Sequence, residues 1–449
     1  MPTRTDELRG TRVIVAGAGL AGLAAARALE ARGAHTTVVD ARERVGGRVW
    51  TIRDGFKHRQ HAEAGGDIID SDQHAVIALA GALKLPLVKI LKKGFGYCGT
   101  NGRGRVCVQS VERGFASAWG FLQPLINLYK LGEHRWDGAI AQQMARQSVA
   151  DWLRSIDADA LTTSRFRGLR GLFLADPEDL SLLAVVDFFA TGAFGEGHML
   201  RVDGGNDRLA TETARRLRQP VRLRSILRGV RATPAGIVGY VEDGTGVHEI
   251  AADYLVCALP ATTMRGVEWG SALPEAQRNA YARLRYGAAT RLLVQFARRF
   301  WKKPGRPIAF GSDQPAGAVW DGNEQQQGPA GILSFLAGGR ASAGLQSILN
   351  EKNLASVAAG LSWLGAPTSV LASHKIVWED DPWAGGGYAH FDPSYDPRWR
   401  DLLAQPAGRV VFAGEHTSIR WQGYMNGAIE SGQRAAAEIT SLRGAGRAS

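Results

Sequence analysis

The stretch Val13-Ile14-Val15-Ala16-Gly17-Ala18-Gly19-Leu20-Ala21-Gly22 decides the fold of this 449-residue chain. Its apolar opening, Val13 to Ala16, reads as a buried parallel strand. Gly17-x-Gly19-x-x-Gly22 then opens a helix rich in alanine and leucine, expected from about Leu20 to Ala31. Gly17 allows the tight turn, Gly19 lets a pyrophosphate approach the backbone, and Gly22 lets the helix pack on the strand. The first turn, with Leu20 and Ala21, presents free N–H groups and a positive dipole end to the phosphates. Gly33 ends the helix, and a second strand, His35 to Val39, delivers Asp40. This carboxylate lies roughly 20 residues past the glycines, where it accepts hydrogen bonds from a ribose hydroxyl. An acid there repels a 2′-phosphate and disfavours NADP. Glycine triplets arise by chance in a chain with 56 glycines. Here strand, helix, strand and acid follow in order, which chance does not readily supply.

Beyond Asp40 the chain reads Ala41-Arg42-Glu43-Arg44-Val45-Gly46-Gly47-Arg48-Val49-Trp50-Thr51. This segment resembles the second signature of the flavin monoamine oxidase superfamily, the FAD-dependent amine oxidases. Three further blocks resemble the same family: Ala62-Glu63-Ala64-Gly65-Gly66-Asp67, Val202-Asp203-Gly204-Gly205-Asn206-Asp207-Arg208-Leu209, and the C-terminal run from Val410 through Gly414-Glu415 to Gly423-Tyr424-Met425-Asn426-Gly427-Ala428. The resemblance covers nearly the whole chain and is weakest from about residue 85 to 200.

The resemblance implies an α/β protein with a Rossmann-type FAD-binding domain and a discontinuous α+β substrate domain. The FAD domain would be assembled from residues 1–75, 201–285 and 385–449. Residues 76–200, with a helical portion opening near Asp151 and Leu180, and 286–384 would form the substrate domain around a six-strand-like sheet. By the same resemblance Arg42 and Arg48 neutralise the diphosphate, with Ala41 and Gly47 beside them. The alternative for both arginines is solvated surface. Gly65, Gly66 and Asp67 would pass beside the isoalloxazine. Paired strands, Arg224 to Val230 and Ile237 to Val241, would reach the adenine through Leu227. Glu415, after Gly414, would approach the ribityl and phosphate region. A helix from Gly427 to Ile439 would turn its first N–H groups, near Met425, toward the flavin N1–C2=O edge.

Tyr388, after Gly385-Gly386-Gly387, and Tyr424, after Gly423, match the paired aromatics that sandwich an amine before the flavin. Trp378, Trp383 and Trp421 would wall the same cavity or serve as packing alone. Flavinylated members carry a cysteine just before the first tyrosine; Gly387 stands there, so FAD should be bound non-covalently. Family members commonly place a lysine about ten residues before a Phe-Trp. Counting back from Phe300-Trp301 gives Arg291, which stays cationic and cannot exchange a proton as a base. L-amino acid oxidases of the family place an arginine where Ile68 stands. Amines without an α-carboxylate are therefore expected, with Asp67 and Asp70 read either as ammonium partners or as solvated turn acids. Oxygen or an acceptor protein would take the electrons. His416, beside Glu415, reads as structural.

Composition narrows the alternatives. The net charge is +11, and arginine supplies 44 of the 54 basic residues. Pairs such as Arg215-Arg216 are dispersed rather than interleaved with aromatics, so a solvated basic surface is read in preference to a nucleic-acid site. Cys98, Cys107 and Cys257 form no CxxC pair, which points to neither disulfide nor metal site and fits a reducing compartment. The polar start, Met1 to Gly10, lacks the core of a signal peptide, and no run approaches the ~20 apolar residues of a spanning helix. A cytoplasmic protein without a membrane partner is expected; a homodimer is left open. Asp321 to Pro329 reads as an exposed loop. Two other functions stay open: a flavin desaturase acting on a carotenoid or porphyrinogen precursor, and a redox-impaired flavoprotein scaffold.

Overall fold

The computed structural model describes residues 7–132, 135–190, 198–351 and 353–448; the first six residues of the polar start lie outside them. Four parallel strands make one sheet in the order His35–Val39, Arg12–Ala16, Tyr254–Cys257 and Val410–Phe412. Each is short and largely buried, with apolar residues at its inner end, as a parallel sheet covered on both faces requires. Alternation divides their side chains. Val13, Val15, Val256 and Val411 enter one apolar cluster, while Ile14, Ala16, Leu255, Cys257, Val410 and Phe412 enter another.

Two helices cover the first face, Leu20–Glu30 and Met425–Ala448, where small residues (Ala21, Ala24, Ala25, Ala435 and Ala436) share the core with Leu23, Leu29 and Ile439. The close seat of the first helix depends on Gly22: a β-carbon there would stand 1.8 Å from the Gly17 carbonyl oxygen. The C-terminal helix starts two residues before the expected Gly427, which makes Met425 its first residue. On the other face, the antiparallel strands Ile226–Thr233, Gly236–Asp243 and Gly246–Ala252 contribute Leu227, Val230, Ile237 and Val241.

A second sheet has seven strands rather than the six-strand-like arrangement expected. Its order is Val370–Val377, Ala289–Phe296, Gly331–Gly338, Ala318–Asp321, Ala309–Ser312, Gly96–Thr100 and Arg105–Val108. The last two form a hairpin added at the edge, parallel to Ala309–Ser312. Every residue of Ala289–Phe296 is buried, the polar Thr290, Arg291 and Gln295 among them, as an interior strand covered on both faces requires. Helices Val111–Leu131, Val149–Ser155, Ala160–Gly168 and Leu182–Ala190, with the shorter Ala139–Ala145 and Arg170–Phe173, make up the helical portion; an edge-to-face aromatic cluster of Phe115, Trp152, Phe166 and Phe189 joins the first four.

Two expectations are corrected. Cys98 and Cys107 are directly opposed across the edge hairpin and form a disulfide, so the cysteine pattern carries no argument for a reducing compartment. The spacing gave no warning because the pairing comes from strand register. The stretch Asp321 to Pro329 is exposed only at Gln327, Gly328 and Pro329. Asp321 and Asn323 are fully buried, with Asp321 accepting from Trp301 Nε1 at 3.0 Å and from Arg299 at 3.2 Å. Among the described residues, no helix is long and apolar enough to cross a membrane.

Candidate active site

One continuous cavity of about 680 Å³ joins the two ends of the sequence. Gly17, Gly19, Leu20, Ala21, Asp40, Ala41 and Arg42 line its first part, with Leu227. Gly47, Arg48, Gly65, Gly66, Asp67, Trp378, Gly414 and Glu415 line its middle, and Ile68, Arg291, Tyr388, Trp421, Gly423, Tyr424 and Met425 its far part. Gly22 is the one expected cofactor residue that is not on the wall; it packs beneath the turn.

The wall suits a dinucleotide. Gly19 caps the helix Leu20–Glu30 with extended backbone and no side-chain hydrogen bond, so no side chain competes for that helix end. Asp40 is buried at the end of its strand and braces the turn, its two oxygens accepting the amide N–H groups of Ala18 (2.6 Å) and Arg42 (2.8 Å). Burial raises its pKa against those two bonds. Each carboxylate oxygen retains a second lone pair for a ribose hydroxyl.

The arginines are differently engaged than expected. Arg42 is held bidentately by Asp381 at 2.6 and 2.8 Å, a contact that ties the turn to the segment before the tyrosine. Arg48 pairs with Glu415 at 2.9 Å, donates to the Gly387 carbonyl at 2.8 Å and lies over the Tyr286 ring. Neither guanidinium is therefore reserved for phosphate. Glu415, in turn, accepts the N–H of Gly423 (2.9 Å) and of Ala389 (3.3 Å). It thus binds the neighbours of both tyrosines; burial pushes its pKa up, but Arg48, His416 and the Gly423 N–H together hold it below the usual value.

Tyr388 donates its hydroxyl to the Leu172 carbonyl at 2.5 Å, and its ring lies against Gly423. Tyr424 packs edge-on to Trp421, centroids 5.7 Å apart. Trp378 spends its indole N–H on the Ala64 carbonyl at 3.0 Å. His416 is buried off the cavity, 3.2 Å from the Tyr286 hydroxyl; burial lowers its pKa to about 4, so it stays neutral at physiological pH.

Arg291 projects from the central strand into the cavity wall. It donates to the Gly65 carbonyl (2.6 Å) and Ser334 (3.0 Å) and lies 4.6 Å over Trp320. Asp67 is not available as an ammonium partner. It is buried against Arg201 at 2.6 Å, accepts the Trp320 indole N–H at 2.8 Å and faces Arg291 at 3.9 Å. Arg201 carried no signal in a chain with so many arginines, and only folding brings it to Asp67. Behind this group Glu63 is fully buried, and its pKa is pushed up to about 8 by desolvation and by Asp67, against Arg201. Two guanidinium groups therefore oppose the carboxylate of Asp67 and a Glu63 that is neutral at pH 7, leaving net positive charge beside the Gly65-Gly66 turn.

Comparison with known proteins agrees with this geometry. The chain matches the flavin containing amine oxidoreductase family over residues 20–440. It belongs to that family. It is 27% identical to a Mycobacterium tuberculosis protein assigned as a flavin-containing monoamine oxidase, across 96% of both chains. It is 25% identical to the horse flavin-containing amine oxidase A, across 96% of this chain and 85% of that one. Among solved structures, cyclohexylamine oxidase from Brevibacterium oxydans superposes with a TM-score of 0.85 at 22% identity, covering 97% and 99% of the two chains. Putrescine oxidase bound to putrescine gives 0.82 at 22% identity, covering 96% and 99%. At that identity the likeness shows the fold. This amine oxidoreductase is a flavoenzyme, and FAD is its cofactor.

Proposed function

We propose that this amine oxidoreductase dehydrogenates a small amine lacking an α-carboxylate, using non-covalently bound FAD. The observation that carries the reading is the placement of Tyr388 and Tyr424 on the wall of the same cavity as the dinucleotide turn. When bound, FAD supplies the two-electron acceptor for hydride from the carbon next to nitrogen. The protein's part is orientation, exclusion of water and charge. The tyrosine ring faces align the amine, a cation–π contact contributing about 0.5–2 kcal/mol while it is charged. The apolar wall of Leu172, Phe173, Phe188 and Leu336 excludes water and favours the neutral amine that hydride loss requires. Arg291 and Arg201 stabilise negative charge arriving with the electrons, aided by the N-terminus of the helix starting at Met425. Arg291 is too firmly cationic to serve as the base.

Gly387 supports the non-covalent reading. This position, packed against Leu174 and Ala289, offers no thiol for a covalent link to the flavin.

The test is anaerobic bleaching of the FAD-loaded protein near ~450 nm against primary, secondary and cyclic amines and amino acids. Bleaching by an amine and not by its α-carboxylated analogue is the expected outcome, with FAD released on acid denaturation. Readmitting air then separates oxygen from a protein acceptor. Absence of bleaching by every amine overturns the proposal.

A further inference from the structure

Five carboxylates line the cavity among the described residues: Asp40, Asp67, Asp70, Asp187 and Glu415. Four are engaged by strong donors. Asp40 takes two backbone N–H groups, Asp67 takes Arg201 and Trp320, Glu415 takes Arg48, and Asp187 takes the Tyr129 hydroxyl at 2.6 Å. Asp70 differs. Its side chain accepts one bond from the neutral carboxamide of Gln73 at 3.0 Å and has no ion pair among the described residues. It ends the short strand Ile69–Asp70, whose partner Met199 also faces the cavity. It stands near enough to Tyr424 for its charge to add to the rise that burial causes in that hydroxyl's pKa.

Of the guanidinium groups on this cavity wall, Arg42, Arg48, Arg228 and Arg291 are already turned to protein acceptors, and Arg420 lies over the Trp421 ring. Asp70 is the carboxylate left to receive an ammonium group. A carboxylate touching the nitrogen under oxidation would hold that nitrogen protonated and oppose hydride loss. Its productive use is therefore with a second cation on the same substrate. Ile68, Phe95, Tyr97 and Met199 line the same cavity and offer apolar surface to a hydrocarbon spacer.

We propose that Asp70 docks a second ammonium group, and that this enzyme prefers amines bearing two positive charges separated by a hydrocarbon chain. The inference rests on the amine-dehydrogenation reading above and names its substrate class. Burial and the neighbouring Asp72 push the Asp70 carboxyl up to about 6, so it is predominantly ionised at pH 7.5 and able to bind the cation.

The test compares α,ω-diaminoalkanes with n-alkylamines of equal length on the FAD-loaded wild type, Asp70→Asn and Asp70→Glu, matched for circular dichroism and FAD content. Wild type should favour the diamine by about tenfold or more in kcat/KM, the scale of one charge-assisted contact. Asp70→Asn should lose that preference through a rise in KM for the diamine that is larger than any change for the monoamine, and Asp70→Glu should recover part of it. Titration calorimetry of the diaminoalkane into each holoenzyme should show the same ordering without turnover. Equal loss for both amine series would make Asp70 structural and overturn the proposal, as would a wild type with no diamine preference in turnover and calorimetry. If neither series bleaches the flavin, the dehydrogenation reading fails, whereas monoamine bleaching without diamine preference removes the role of Asp70 alone.

Discussion

Glu415 concentrates more of this site than any other single residue. Its two oxygens bind Arg48, Gly423 and Ala389, so one side chain joins the arginine-bearing turn to the neighbours of both cavity tyrosines. Sequence comparison placed it near the cofactor; what it holds became visible only when residues 367 positions apart met. Replacing it with alanine leaves Arg48 without its counter-charge in a cavity wall. Glu415→Ala should therefore lose on the order of 3 kcal/mol of stability. FAD affinity should fall with it, read by thermal denaturation followed through flavin fluorescence. A melting curve and FAD affinity equal to wild type would show that the pair is dispensable. Arg42 teaches a related lesson. Its position in an arginine- and glycine-rich turn pointed to phosphate, yet Asp381 holds both of its terminal nitrogens.

At the scale of elements, the Gly65-Gly66 turn shows how a short segment is locked from behind. Glu63, in the two-residue strand Ala62–Glu63, accepts the Thr51 hydroxyl at 2.7 Å and the Asn206 N–H at 3.0 Å. Asn206 itself donates to the carbonyls of Gly66 and Asp67. The folded pKa of Glu63, about 8, lies above its ordinary value of 4.5. Folding thus retains a proton that the unfolded chain releases, and stability falls as pH rises between those two values. Glu63→Gln keeps a neutral side chain of the same shape and should flatten this dependence. Its denaturation midpoint should overtake wild type as pH rises from about 5 to 8; parallel pH profiles for the two proteins would refute the assignment.

At the scale of the whole molecule, one cross-link is covalent. The disulfide joins Cys98 to Cys107 across nine positions at the edge of the seven-stranded sheet, with Cys98 fully buried and Cys107 exposed. The hairpin carries Tyr97 into the cavity wall, so it belongs to the far end of the site rather than to the dinucleotide half. Closing so short a loop stabilises by about 2–3 kcal/mol on the chain-entropy model. Thiol titration of the denatured, unreduced protein should find one thiol, that of Cys257, and three after reduction. Reduction should lower the melting temperature while leaving FAD bound; three thiols before reduction would remove the bridge.

What the amino-acid order determined by itself was local and periodic. The run Val13 to Gly22, the strand to Val39 and the helix after Gly427 are written in contiguous residues whose spacing matches one backbone geometry. The motif blocks likewise identified the residues that line the cavity from Gly17 to Tyr424. Tertiary structure alone decided the partners. Arg201 on Asp67, Asp381 on Arg42, Glu415 on Arg48 and Cys98 on Cys107 depend on strand register and on which buried charge finds a counter-charge. The buried half of the Asp321 loop belongs to the same group, since a polar stretch reads as exposed until Trp301 and Arg299 are seen to enclose it. Apolar periodicity announces itself along the chain because it repeats every two or 3.6 residues. A charge pair across hundreds of residues leaves no period, and the requirement that a buried charge be compensated is met only in three dimensions.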